Sequence, residues 1–384
     1  MQYHNSYKKN STITTKVMCA IVFWLFSLAW LFWFQADLLT IAQHVLSKGQ
    51  THYDRTVGAL LITFVLYLVQ MVVHGVVKLN KRSHALTYLP SMLLLAMISD
   101  INPVVLTTAS FWKWLWLVPV VLALWGVFIM IAKQTLPFDS SKERTGLFSR
   151  RLWVNMLFMI GMIVLVVTLS NTNAVYHYRA HIEVSICKGD YAEALRTGNR
   201  SLESDESLTM LRAYALSHEG LLGERLFEYP VVGTSKTLLP MWNHQSAAYL
   251  IPVDSFYHHF GARPVAIASA SRYFELLERD SLARQSVADY RLCGLLVDKR
   301  IDEFARELPH YYAIDGTLPK HYREAATLYM HLRSNPVLIF SHEVSAEDWK
   351  NFQELERTHA NKAERKQKVA ERYQHSYWYY YFYK

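Results

Sequence analysis

The chain has 384 residues, 52% of them hydrophobic, and a formal charge of +8 that by itself suggests a nucleic-acid or acidic-surface partner. Splitting the chain at residue 170 removes that reading. The first 170 residues hold 14 Lys and Arg against 5 Asp and Glu, and the remainder holds 26 against 27, so the whole excess lies in the apolar half and no nucleic-acid partner is expected.

The apolar half carries four long uncharged runs: 17–34, 57–77, 114–132 and 152–170. A helix needs about 20 apolar residues to cross a bilayer core, so each is expected to span, with the lipid bilayer as the first partner. The run at 86–98 is shorter and becomes a fifth span only by extending to residue 101. Basic residues then decide orientation. Lys8, Lys9 and Lys16 precede the first run, Lys78, Lys81 and Arg82 follow the second, and Lys133, Lys142, Arg144, Arg150 and Arg151 lie between the last two. Five spans with the N-terminus inside put all 11 of these in the cytoplasm and residues 171–384 outside it. A re-entrant 86–98 would turn the 133–151 loop outward, against the rule. A cleaved signal peptide is the rival reading of the first run, which is too long for a signal core and lacks a small-residue cleavage site.

Polar residues within this half form a candidate intramembrane set: Gln70 and His74 one turn apart, Asp100 and Asn102 in ISDINP, and Asn155. Their ordinary use is interhelical hydrogen bonding, and their alternative use is transport or catalysis. Pro90 and Pro119 are expected to kink their helices.

From residue 171 the pattern is that of a water-soluble helical array. GDYAEAL (Gly189–Leu195) reads as a turn and helix start, and GLLGERL (Gly220–Leu226) takes the same place 31 residues on, near the period of a tetratricopeptide repeat. SFYHHFGARPVAIASASRYFELLERD (Ser255–Asp280) and VDKRIDEFA (Val297–Ala305) continue the theme, and no strand-type alternation of any length is evident. The fold expected is all-α: a five-helix transmembrane region over 1–170, with spans near 17–34, 57–77, 86–101, 114–132 and 152–170. A soluble TPR-like helical domain over 171–340 follows, then a charged helix with an aromatic tail over 341–384. An ordinary helical bundle is the alternative for the second part. Cys187 and Cys293 end helical stretches 106 residues apart, as buried free thiols or as a bridge.

One long insert, Tyr229–Asp254, interrupts the array, and Trp242, His244 and Tyr249 in it form a possible partner surface; covering the ridge between repeats is its plainer use. In the tail, Tyr377, Trp378, Tyr379, Tyr380, Tyr381, Phe382 and Tyr383 follow in succession. Such a run must be buried, as an extended segment packed on the helical domain or as a tail docked at the membrane interface.

The segments QADLLTIAQHVLSKGQTHYDR (Gln35–Arg55), LRAYALSHEGLLGERLFEYP (Leu211–Pro230) and SFYHHFGARPVAIASASRYFEL (Ser255–Leu276) resemble a family of uncharacterised bacterial membrane proteins that join a multi-span region to a helical-repeat domain. The resemblance implies a bacterial inner membrane with the exported half in the periplasm, and it transfers no active site. The sequence holds no GxGxxG, Walker, HExxH, GxSxG or CxxC motif, so no catalytic residue, cofactor or metal is expected. His258-His259 is adjacent and diverges on a helix, and His342-Glu343 lacks a zincin's second His. The function expected is a membrane-anchored interaction scaffold or assembly factor for another envelope protein. The alternative is a membrane-embedded enzyme or transporter component built on the polar set.

Overall fold

The computed structural model describes residues 2–77, 79, 83–108, 111–134, 149–239, 248–263 and 270–384. Among them every regular element is a helix. The chain divides into two compact units, Met1–Asn173 and Ala174–Lys384.

In the first unit α1 (Gln2–Ala29), α3 (Arg55–Val77), α6 (Trp112–Gln134) and α7 (Arg150–Leu169) supply four helices long and apolar enough to cross a membrane. A π-helical turn at Trp30–Phe34 continues α1. The outward faces invert a soluble protein's surface: Leu25, Leu61, Trp116, Leu124 and Leu157 are all more than half exposed. A continuous apolar exterior of this kind suits lipid.

At the centre runs a shorter rod, a 3₁₀ turn at His84–Tyr88 continued by α4 (Leu89–Ser99). At about 2.0 and 1.5 Å per residue it is roughly 26 Å long. Pro90 stands at the start of α4, where its missing N–H costs nothing, and Pro119 lies inside α6. Four neighbours enclose the rod. α3 passes it antiparallel, with Gln70 opposite Thr87 and Leu66 opposite Ser91. α6 is also antiparallel, with Lys113 at Asp100 and Trp125 at Leu86. α1 and α7 run parallel to it: Phe23 lies beside Tyr88 and Trp30 beside Ser99, while Asn155 meets Ala85 and Asn171 meets Ser99. Successive passes thus alternate in direction. Lys16, His74, His84 and Asn155 gather at one end, and Gln35, Asp100, Lys113 and Asn171 at the other, where α2 (Ala36–Leu46) packs on α5 (Pro103–Thr108).

The second unit starts with α8 (Ala174–Cys187) and α9 (Tyr191–Arg196), then α10 (Glu206–His218) and α11 (Leu222–Arg225). After the insert come α12 (Val253–Phe260), α13 (Ala270–Arg279), α14 (Gln285–Val297), α15 (Ile301–Tyr311) and α16 (Lys320–Leu332). The α8/α9, α10/α11 and α14/α15 turns are the same object. Each first helix ends on a left-handed residue, Gly189, Gly220 or Lys299. Paired 6→1 and 5→2 backbone bonds follow: Asp190 to Ser185 and Gly189 to Ile186, Leu221 to Leu216 and Gly220 to Ser217, Arg300 to Leu295 and Lys299 to Leu296. These are Schellman closures, which consume the orphan carbonyls of each helix and reverse the chain.

One core runs through the unit, from Ile182 through Leu211, Phe260, Cys293 and Tyr322 to Trp378. The tail, α17 (Glu343–Thr358), α18 (Lys362–Tyr373) and α19 (Tyr377–Tyr383), is part of that core rather than an appendage. Both cysteines of this unit are free. Cys293 is buried, but Cys187, the last residue of α8, is exposed, so the expectation of two buried thiols fails there.

Candidate functional site

In the first unit Gln70, Asp100 and Asn155 each bond a neighbouring segment, Asn102 caps the helix that follows it, and the buried His74 Nδ1 has no hydrogen-bond partner among the described residues. Gln70 Nε2 donates to Thr87 Oγ1 at 2.9 Å. Asn155 Oδ1 accepts the Ala85 N–H at 2.7 Å, capping the 3₁₀ turn, and its Nδ2 donates to Arg151 O at 2.8 Å. His74 Nε2 lies 3.0 Å from Lys16 Nζ, and its ring meets His84 edge-on at 4.8 Å. At the opposite end Asp100 Oδ2 accepts from Lys113 Nζ at 2.9 Å and from Trp114 Nε1 at 2.8 Å, and Asn102 Oδ1 caps α5 through Val105 N at 3.0 Å. The five residues therefore fall into two groups at opposite ends of the bundle and do not converge on one point.

Of the insert's three residues, Trp242 and His244 lie outside the described residues. Tyr249 is held in place: its N–H and that of Leu250 donate to Glu183 Oε1, joined by Ile251 N at 3.3 Å. Burial pushes the Glu183 carboxyl up to about 7, against the pull of those three donors. Upstream, the 3₁₀ turn Ser235–Leu238 is fixed to Asp298 by Ser235 N at 2.8 Å and Ser235 Oγ at 2.6 Å.

The aromatic tail is helical, not extended. Ser376 caps α19 by accepting from Tyr379 N at 3.2 Å. Glu324 Oε2 accepts the Tyr377 N–H at 2.6 Å, and Glu324 O accepts Trp378 Nε1 at 2.7 Å. The same carboxylate lies 3.0 Å from His321 Nδ1, while His321 Nε2 accepts from Phe227 N at 3.2 Å. With Nε2 accepting, Nδ1 is the side that faces the Glu324 carboxylate as donor. Tyr377 and Trp378 are buried on that hub, and the Tyr380 and Tyr383 hydroxyls reach Val297 O and Glu356 Oε1, each at 2.8 Å. Phe382 is exposed at the far edge, and Tyr381 lies beneath Lys299 Nζ at 5.9 Å.

By docking, the tail closes one side of a surface cleft of about 290 Å³. The turn after α9 (199–202) forms the second side and the 227–231 segment the floor. Tyr229 is fixed there by its hydroxyl on Leu195 O at 3.0 Å. Behind its ring, 4.9 Å from the centroid, lies the guanidinium of Arg212, only 1% exposed and donating to Gly198 O at 3.0 Å. Burial draws Arg212 down to about 10, which leaves it charged at neutral pH. At the mouth, Leu202 is 72% exposed. No sequence signal marked this cleft, because its walls lie some 170 residues apart in the chain.

A second pair of groups stands out between α10 and α12. Ser217 Oγ and His259 Nε2 are 2.7 Å apart, and the His259 ring stacks on His218 at 4.1 Å. Burial, with His218 and Arg284 adding repulsion, draws His259 down to about 4, far too low for a general base at neutral pH. Among the described residues no group of three metal-ligating side chains is present.

Fold and site together define an all-helical protein with one unit whose four long helices are apolar enough to cross a membrane and a second helical unit with an open aromatic cleft. The chain belongs to a family of unknown function (DUF6057), whose model matches residues 103–284 and 268–384. No curated protein and no solved structure matches it.

Proposed function

We propose that this protein is an interaction scaffold or assembly factor of the bacterial inner membrane. In this reading the first unit anchors it through five spans, the central rod at His84–Ser99 being the fifth, with the N-terminus in the cytoplasm. The second unit is then a periplasmic, TPR-like domain that receives another envelope protein. The rod's length and the alternating passes around it support the count, and the basic residues at the Lys16 end support the orientation. The recurrence of a helix pair joined by the same tight turn at α8/α9, α10/α11 and α14/α15 supports the repeat reading.

One contrast carries the functional part. In the bundle Gln70, Asn155 and Asp100 bond groups on neighbouring segments and lie at opposite ends, which favours structural interhelical bonds over one shared transport or catalytic cavity. The second unit instead keeps an open cleft with rigid aromatic walls, the surface type that receives a partner. Photo-cross-linking in living cells tests this, with the photoreactive residue at Leu202 and, as control, at lipid-facing Leu124. A discrete protein adduct from position 202 and lipid alone from 124 is the expected result. Loss of activity in a transport assay on substituting Gln70 and Asn155, with no protein adduct from the second unit, would support the membrane-embedded alternative instead.

A further inference from the structure

We infer that the cleft between the 199–202 turn, the 227–231 segment and the C-terminal helix binds an acidic peptide segment carrying an apolar anchor residue. The inference rests on the scaffold reading and gives its site a ligand chemistry.

Charge gives the sign. Arg200 lines the cleft and is exposed, and it has no acidic partner among the described residues. The acid that lines it, Glu228, is already engaged: Arg225 Nε holds it at 2.8 Å and Lys320 Nζ lies 3.9 Å away. Beneath the floor Arg212 adds a second positive charge whose hydrogen bonds go to the Thr197 and Gly198 carbonyls, not to a carboxylate. Asp205, whose charge reaches Arg212, is itself bound by Arg179 at 3.1 Å. A cleft with a free guanidinium at its rim, its lining acid already paired, and a buried cation under a tyrosine ring attracts anions and disfavours cations.

Shape and rigidity give the rest. A volume of about 290 Å³ accepts a side chain or two and is too small for a folded domain. Phe227, Tyr229 and Tyr380 line the cleft with aromatic carbon against which an apolar anchor can pack. Leu202, standing exposed at the mouth, stays wet over a small molecule inside the cleft but is covered by a chain passing across it. The walls are locked before any ligand arrives: Tyr229 to Leu195 O, Tyr380 to Val297 O, and His375 Nδ1 2.8 Å from Glu228 O, which ties the tail to the floor. A preformed site loses little freedom on binding.

The test pans a displayed random heptapeptide library on the full chain in lipid nanodiscs, then measures the recovered peptides by fluorescence polarisation on the wild type and on Arg200→Glu. Arg200 is exposed, so the variant keeps the fold, which circular dichroism checks. The inference expects binders in which Asp or Glu flank Leu, Phe or Trp, with affinity falling about tenfold or more in R200E and falling again as salt rises from 50 to 500 mM. Binders without acidic enrichment overturn it. So do acidic binders that R200E retains, because those sit on the basic loops of the first unit. If the cleft fails in either way while a partner still cross-links from another exposed apolar position, such as Ile339, the scaffold reading stands and only the cleft is lost.

Discussion

Trp378→Ala removes the largest side chain of the aromatic tail from a fully packed setting. Trp378 is 2% exposed, with Trp349, Phe352 and Tyr373 around it at ring separations of 5.3, 5.8 and 6.2 Å. Deleting a buried Trp costs about 3–5 kcal/mol, and the Glu324 carbonyl loses its indole donor as well. At 1.4 kcal/mol per tenfold, the equilibrium constant for opening the second unit rises by roughly two to three and a half orders of magnitude. The chain carries its own reporter: Cys293 is 0% exposed in the same core. In detergent, on a background with Cys19 and Cys187 changed to Ser, the rate of Cys293 alkylation against urea gives the opening free energy directly. Trp378→Phe keeps a six-membered ring but loses the N–H and the packing of the fused ring, and its cost is intermediate, about 1–3 kcal/mol. A Trp378→Ala protein whose Cys293 stays protected to within 1 kcal/mol of wild type would refute the placement of the tail in the core.

Further outcomes follow from other contacts. Asn155→Leu strands the Ala85 N–H inside the bundle and costs about 1–2 kcal/mol, read as earlier labelling of buried Cys19 in an SDS titration. Gly223→Ala would set a Cβ 2.5 Å from Cζ of the buried Tyr322, and the overpacking costs about 1–3 kcal/mol by Cys293 labelling. His259 is held near 4, below its unfolded value of 6.5, so the unfolded chain binds the extra proton between those values. Its contribution, up to ~3 kcal/mol, is complete above pH 6.5 and is lost as pH falls toward 4. Glu183 runs the other way: its pKa rises from 4.5 to about 7, so its contribution is complete below pH 4.5 and fades as pH climbs to 7. Stability of His259→Gln between pH 7 and 4.5 therefore rises on acidification relative to wild type, and an unchanged profile would reject the assignment.

The four long helices were legible because lipid imposes a length and a composition that can be counted. The central rod at His84–Ser99 was harder to read. Its short apolar run carries Ser91, Thr87 and Ser99, whose partners come from α1, α3 and the 3₁₀ turn itself, and a hydropathy window cannot see those partners. The turns at Gly189 and Gly220 announce themselves, since glycine enters the left-handed region freely, whereas Lys299 makes the same turn without that signature. For the tail, aromatic residues favour strands locally, and the helix wins through tertiary terms: a Ser376 cap and the Glu324 carboxylate on its first turn. Leu338 and Phe340 are buried while Val337 and Ile339 are exposed, a short strand-like alternation in a segment without regular structure. The cleft left no local trace, because it exists only where the tail folds back.

The most direct test of the account uses the natural chain. Cys187 is exposed while Cys19 and Cys293 are buried, so a membrane-impermeant maleimide reports the side on which the second unit stands. Labelling of Cys187 in intact spheroplasts, at the level reached after permeabilisation, is the predicted result. Labelling that appears only after the membrane is opened would put the cleft in the cytoplasm and contradict the five-span, outward-facing scaffold.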